Sequence, residues 1–189
     1  HIKYGDKLDL IKAIIKIINP NYGFDIETYC DVQPGTGLGS SSAIAVAVIG
    51  AFTQIDSGLN LDLYKIADLA YQAERIELKM SGGWQDQYAT TFGGFNLIEF
   101  SKQDILVNSL KINSNTLYEL EYNLLLFNLG GNRNSSKNSK KIAGDIKGIL
   151  SSINKMNKIT LSMKIALLKG NIKKFGDLLD ESWKTKKTF

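Results

Sequence analysis

The sequence predicts an α+β protein, and three observations carry that prediction. Residues 24–32 set Phe24, Ile26, Thr28, Cys30 and Val32 against Asp25, Glu27, Tyr29 and Asp31, the period-two signature of a half-buried strand. Apolar residues recur at helical spacing in residues 7–18, 60–79 and 171–185, and Ala43 to Phe52 is apolar on every side. A second strand, ending Leu97-Ile98-Glu99-Phe100, turns through Ser101–Asp104 into Ile105–Ile112 as a hairpin.

In chain order, Leu8, Ile11, Ile14, Ile15 and Ile18 mark a first helix that Asn19-Pro20 stops. Strand 24–32 follows, with Cys30 as a small core residue in it. A glycine-rich loop then leads into a helix expected to be buried all round. Asn60 is the expected N-cap of the next helix, which runs to about Lys79 with Leu63, Ile66, Ala67, Ala70 and Tyr71 on its apolar face. Glu74 lies four residues after Ala70 and seven after Ala67, so a carboxylate continues that face. Such a group is costly unless a cation or hydrogen bonds meet it, whereas Arg75 and Glu77 read as solvent-facing charges. Glycine pairs 82–83 and 93–94 bracket a short helical turn before the hairpin. Asn123 to Leu129 reads as a buried strand, and helices are expected over 139–154, 157–169 and 171–185, with Gly170 ending the second. Ile172, Phe175, Leu178, Leu179 and Trp183 form an apolar face on the last. The Asn/Ser/Thr-rich turn at 113–116 suggests a domain seam near 113–122.

The functional signal lies in Pro34-Gly35-Thr36-Gly37-Leu38-Gly39-Ser40-Ser41-Ser42-Ala43. A strand, a loop stripped of side chains and a helix N-terminus together favour an anion. The first helical turn has unpaired N–H groups and a partial positive charge, and glycines allow a phosphate close to the backbone. Serines there can cap the helix or offer hydroxyls to a phosphate or its metal. No lysine precedes the serines, so this is not a P-loop, and Ser40 stands where the dinucleotide fingerprint needs its third glycine. The plain alternative is a Gly/Ser-rich turn with an ordinary cap. For Asp86 the plain alternative is an N-cap on the short helical turn.

The 34–43 segment resembles the second motif of the GHMP kinases, which wraps the phosphates of ATP. Gly83-Trp84-Gln85-Asp86-Gln87 resembles the segment that holds the catalytic aspartate in galactokinase-like members, and the twelve-residue step from Glu74 to Asp86 matches the family's spacing of metal glutamate and aspartate. Together with Phe92-Gly93-Gly94-Phe95-Asn96, this region is most similar to the branch acting on D-glycero-D-manno-heptose 7-phosphate. Gln33 stands where relatives often carry proline, and Trp84 where many carry arginine. Gly130-Gly131-Asn132-Arg133-Asn134-Ser135 corresponds to a Thr-Gly-x-x-Arg-x-Ser segment near the sugar, with the threonine replaced.

The resemblance implies a two-domain fold, with a ribosomal-protein-S5-like N-terminal part over 1–115 and a ferredoxin-like C-terminal part beginning at 116. It further implies that the chain is incomplete at both ends, the family's first motif preceding His1 and its third following Phe189. The activity implied is ATP-dependent phosphorylation of the anomeric hydroxyl of a sugar phosphate. Residues Pro34 to Ser42 would hold the ATP phosphates. Ser41 and Glu74 would hold Mg²⁺, Asp86 would be the base, and Gly83, Asp86 and Arg133 would meet the substrate. A galacto-, fuco- or mevalonate-type kinase and a non-catalytic nucleotide- or sugar-binding relative are the alternatives.

Composition agrees with a small-molecule enzyme. A net charge of +4 over 189 residues, without one basic stripe, gives no ground for a nucleic-acid partner. No run of about twenty apolar residues suggests a membrane span. The single cysteine excludes an internal disulfide and suits a reducing cytoplasm. ATP, Mg²⁺ and a sugar phosphate are thus the expected partners, with a homodimer left open.

Overall fold

In the computed structural model, residues 2–32, 35–56, 58–102, 104–127 and 146–187 are described. The protein is α+β, as the sequence predicts: seven α-helices, one π-helical turn and a two-stranded hairpin among those residues. They divide into two compact units. One comprises residues 2–32, 35–56, 58–94, 100–102 and 104–107, and the other 95–99, 108–127 and 146–187.

The first unit contains α1 (Asp9–Ile18), α2 (Ser40–Ile55), α3 (Leu63–Tyr71) with its π-helical continuation Gln72–Glu77, and α4 (Gln85–Phe92). Its core is Ala13 and Ile14 of α1, Ala45, Val48, Ile49 and Phe52 of α2, and Ile66, Ala70 and Ala73. Asn19 ends α1 in the left-handed conformation, its N–H bonding to the Ile15 carbonyl, as the Asn-Pro stop foretold. Helix α2 is not buried all round. Ser42, Ala45, Val48, Ile49 and Phe52 are buried, while Ala43, Ala47 and Ala51 are exposed. Alanine favours helix wherever it stands and has little apolar surface to hide, so an alanine face reads as core in sequence without needing cover. The cap of α3 is Asp62 rather than Asn60; its carboxylate accepts the Lys65 N–H at 2.8 Å.

Residues 24–32 form no strand. The Phe24 ring meets that of Phe52 edge-on at 5.0 Å, but residues 23–31 are exposed, Cys30 among them. Alternation marks a segment fit for a sheet, and a ladder also needs a partner; none pairs with it among the described residues. The strand expected at 123–129 does not form over its described part either: Asn123 ends a helix, and residues 124–127 are exposed and without regular structure, Leu126 at 84% and Phe127 at 73%. The hairpin β1 (Asn96–Phe100) and β2 (Ile105–Ser109) forms as expected, because two strands joined by a short turn satisfy one another.

In the second unit, the Asn/Ser/Thr-rich stretch starts a helix, α5 (Ser114–Asn123). Asn113 caps it by accepting the Asn115 N–H. The two helices expected over 139–169 are one, α6 (Ile146–Leu168); residues 139–145 lie outside the described residues. Gly170, at φ 68°, ends the α6 turn, and α7 (Ile172–Lys186) follows with Asn171 as its cap. Leu120, Leu167 and Ile172 form one small core, and Ile159, Ala166 and Leu178 another. Leu179 and Trp183, expected on the buried face of α7, are exposed.

Candidate active site

The site is built on three helices of the first unit. Gly35, Gly37 and Gly39 all have left-handed φ (86°, 78° and 72°), while Thr36 and Leu38 between them do not. A non-glycine residue pays for that conformation, so glycine at these three positions is what lets the loop alternate in φ sign and keeps its backbone bare of side chains. Gly39 is the N-cap of α2 and no side chain occupies the cap. The first amides of α2 are therefore left for a ligand, beside the positive end of a 16-residue helix. Pro34 lies outside the described residues; Gly35 to Leu38 are exposed.

The serines do not cap α2. They turn to Glu74, which is fully buried. The Ser41 hydroxyl donates to Glu74 Oε1, and the Ser42 hydroxyl donates to Oε2 at 2.7 Å. The Gln87 amide, from α4, also donates to Oε2. Arg75 Nη2 lies 3.8 Å from the same oxygen. The sequence requirement that a carboxylate on an apolar face be met by cations or hydrogen bonds is thus fulfilled by four side chains.

The π-helical turn brings Glu74 to this position. The Leu78 N–H bonds to the Ala73 carbonyl and the Met80 N–H to that of Glu74, so the turn is wider than an α-helix. Ala73 and Glu74, adjacent in sequence, are buried together. Arg75 and Glu77 are not the free charges the sequence suggested. The Arg75 side chain is 11% exposed and donates to the carbonyls of Ser81 and Gly83, both at 3.3 Å. Glu77 accepts from Lys16 at 2.5 Å and from the Tyr4 hydroxyl at 2.8 Å. The Lys16 and Tyr4 bonds hold its carboxyl below the ordinary range. The wider turn carries both residues off the solvent-facing track that simple 3.6 spacing assigns them.

Asp86 stands in the first turn of α4, exposed. The N-cap is Trp84, so the capping alternative for Asp86 does not hold. A Cβ placed on Gly39 would lie 3.7 Å from Asp86 Cγ, which sets the aspartate against the glycine loop. Glu74 and Asp86 reach one site from different helices, linked by Gln87. Trp84 stacks flat on Tyr71, with ring centroids 3.4 Å apart. Arg133 lies outside the described residues.

Sequence reasoning put Ser42 in the phosphate loop but not on Glu74, read Arg75 as a solvent-facing charge, and missed Gln87. The available signal was a polar residue, Gln87, beside the apolar Tyr88 on a short helix whose buried positions are those two.

The donor set fits a magnesium ion. It consists of hard oxygens, the Ser41 hydroxyl and Glu74 Oε1, lying together while Oε2 is committed elsewhere. Among the described residues no three His, Cys, Asp or Glu side chains converge into an all-protein cage. A hydroxyl and one carboxylate oxygen suit a cation which takes one or two protein oxygens and completes its shell with phosphates and water.

A helix start with no side-chain cap, a buried carboxylate paired with its serines and a second carboxylate at the loop make up the site. Residues 9–94 match the GHMP kinases N terminal domain, and this part of the chain is a domain of that family. It is 38% identical over 192 residues to the D-glycero-alpha-D-manno-heptose 7-phosphate kinase of Campylobacter jejuni, covering 96% of this chain and 56% of that one. It superposes on the crystal structure of a D-glycero-D-manno-heptose 1-phosphate kinase from Bacteroides thetaiotaomicron with a TM-score of 0.82 and 33% identity, over all of this chain and 58% of that one. The bifunctional fucokinase/GDP-fucose pyrophosphorylase of Arabidopsis thaliana is 28% identical over 95% of this chain and 18% of its own length. The chain therefore spans a little over half the length of the heptose kinases it matches. No helix among the described residues is long and apolar enough to cross a membrane.

Proposed function

We propose that the protein of which this chain is part transfers the γ-phosphate of ATP to the anomeric hydroxyl of a sugar phosphate, D-glycero-D-manno-heptose 7-phosphate being the best-supported acceptor. The observation that carries this reading is the buried Glu74 held by Ser41 and Ser42 from the start of α2, with Asp86 at the same loop. The two heptose kinase relatives support the acceptor. We assign residues 1–115 to the ATP-binding domain, a reading supported by the family match over residues 9–94, and the start of a C-terminal domain to 116. The cytoplasm is the proposed compartment.

In this reading the loop from Gly35 to Gly39, with the free amides of Ser40, Ser41 and Ser42, holds the ATP phosphates. Ser41 and Glu74 hold Mg²⁺, which when bound neutralises phosphate charge during transfer. Gln87 and Ser42 keep Glu74 in place. Asp86 orients the sugar hydroxyl and accepts its proton; an anomeric hydroxyl is more acidic than an ordinary alcohol, so an unactivated carboxylate suffices. Gly83, just before α4, and Arg133 are assigned to the substrate, the arginine to its phosphate through paired planar donors.

The test is turnover of the full chain with ATP and a panel of heptose 7-phosphate, galactose, fucose and mevalonate, with the product's phosphate located by NMR. Heptose 7-phosphate should be preferred and phosphorylated at its anomeric carbon. Asp86→Asn should keep nucleotide binding and lose about 10²–10⁴ in kcat. Preference for another acceptor would overturn the substrate assignment, and full activity in Asp86→Asn would overturn the role of the base.

A further inference from the structure

We propose that Gln87 is a positioning residue, whose side-chain amide fixes the free oxygen of Glu74 and so ties the metal-holding carboxylate to the helix that carries Asp86. The inference rests on the reading of Glu74 as a magnesium ligand. Gln87 is fully buried and follows Asp86 directly in α4. Its amide nitrogen donates to Glu74 Oε2, the oxygen that also accepts from Ser42 and faces Arg75. Oε1 has Ser41 beside it. With one oxygen tied by three neighbours, the carboxylate cannot rotate, and the other is presented together with the Ser41 hydroxyl.

Burial energetics argue that the amide is not there for stability. Gln87 Oε1 is buried with no hydrogen-bond partner, and an orphaned buried acceptor costs about 1–3 kcal/mol. An apolar side chain of similar length would avoid that penalty. What an apolar residue cannot do is donate to Glu74. The amide orientation follows from the same chemistry, since a carboxylate accepts and only the NH₂ end of the side chain can give.

The arrangement closes a circuit. Gly39 stands against Asp86; Asp86 is followed by Gln87; Gln87 holds Glu74; and Glu74 is held by Ser41 and Ser42, two and three residues after Gly39. A displacement of α4 therefore moves the base and loosens the carboxylate together.

Gln87→Met, close in length and without a donor, tests this in the full chain. Nucleotide binding is measured by calorimetry over a range of Mg²⁺ concentrations and in EDTA. The substitution should raise the Mg²⁺ concentration for half-saturation about 10–100-fold, the usual effect of removing a residue that orients a ligand, while binding in EDTA stays unchanged. If Gln87→Met fails to fold by circular dichroism, Gln87→Asn, which keeps the amide but draws it back by one bond, reads the same quantity. An unchanged Mg²⁺ dependence, or an equal loss in EDTA, overturns the positioning role. Absence of any Mg²⁺ dependence in the unsubstituted protein overturns the reading of Glu74 itself, and with it this inference.

Discussion

Replacing Glu74 by glutamine and by alanine separates what the carboxylate does for the fold from what it does for a metal. Glu74 is fully buried, accepts from Ser41, Ser42 and Gln87, and has Arg75 Nη2 at 3.8 Å. In Glu74→Gln the amide oxygen can stay at Oε2, where Ser42 and Gln87 still donate to it. The new NH₂ then faces Ser41, whose hydroxyl can turn to accept. The three bonds lose their charge assistance, about 1 kcal/mol each, but the cost of burying an ion, several kcal/mol, also disappears. These effects oppose one another, so the net change in stability should stay within about 2 kcal/mol. In Glu74→Ala the buried donors of Ser42 and Gln87 lose their acceptor, at about 1–3 kcal/mol each, and a cavity is left as well. That variant should be destabilised by about 3–5 kcal/mol. Chemical denaturation reads both values, and calorimetry with and without Mg²⁺ reads the metal. Glu74→Gln should fold near the parent stability, bind nucleotide in EDTA as the parent does, and lose most of its Mg²⁺ dependence. A Glu74→Gln protein as unstable as Glu74→Ala would make the carboxylate a structural anchor; one with the parent's Mg²⁺ dependence would remove it from the metal site.

Gly39→Val places a β-branched residue at φ 72°, facing Asp86, and should abolish nucleotide binding with the helices intact by circular dichroism; unchanged ATP affinity would refute the loop assignment. Gly82 has φ 148°, and a Cβ there would stand 2.8 Å from the Arg75 guanidinium, which is itself held by the Ser81 and Gly83 carbonyls. Gly82→Ala should therefore cost about 1–3 kcal/mol and lower Tm; no change in Tm would show that Arg75 swings aside freely. Burial, aided by the negative charge of Asp68 and by Tyr64, raises the Tyr88 phenol above its ordinary 10.0. The folded state thus resists ionisation, and this contribution is intact below pH 10 and lost as pH rises through the folded-state value. Tyr88→Phe should keep more of its stability on the alkaline side than the parent does, and parallel alkaline unfolding curves would refute the assignment.

The sequence alone determined the features that depend on local chemistry. Spaced glycines before three serines require a bare loop entering a helix, whatever surrounds them, because left-handed φ and a missing Cβ are properties of the residue. Asn19-Pro20 and Gly170 end helices for equally local reasons, and the 101–104 turn makes a hairpin whose strands pair with each other. Glu74 was legible because it broke an apolar helix face, whereas Asp86 was paired with it through the resemblance to the GHMP kinases, the residues alone allowing an N-cap. Tertiary structure decided everything that needed a distant partner. Segments 24–32 and 124–127 have the composition of strands, yet a strand exists only where another backbone accepts its hydrogen bonds. The exposed alanines of α2 and the burial of Arg75 depended on what packed beside each helix. The π-helical turn at 72–77 shifts its register by one residue and so overrides the 3.6 spacing from which Arg75 and Glu77 were read as solvent-facing. The union of Ser41, Ser42, Glu74 and Gln87 joins residues up to 46 positions apart. No local periodicity records which buried donor will meet a buried carboxylate; that choice is made when α2, the π turn and α4 close around Glu74.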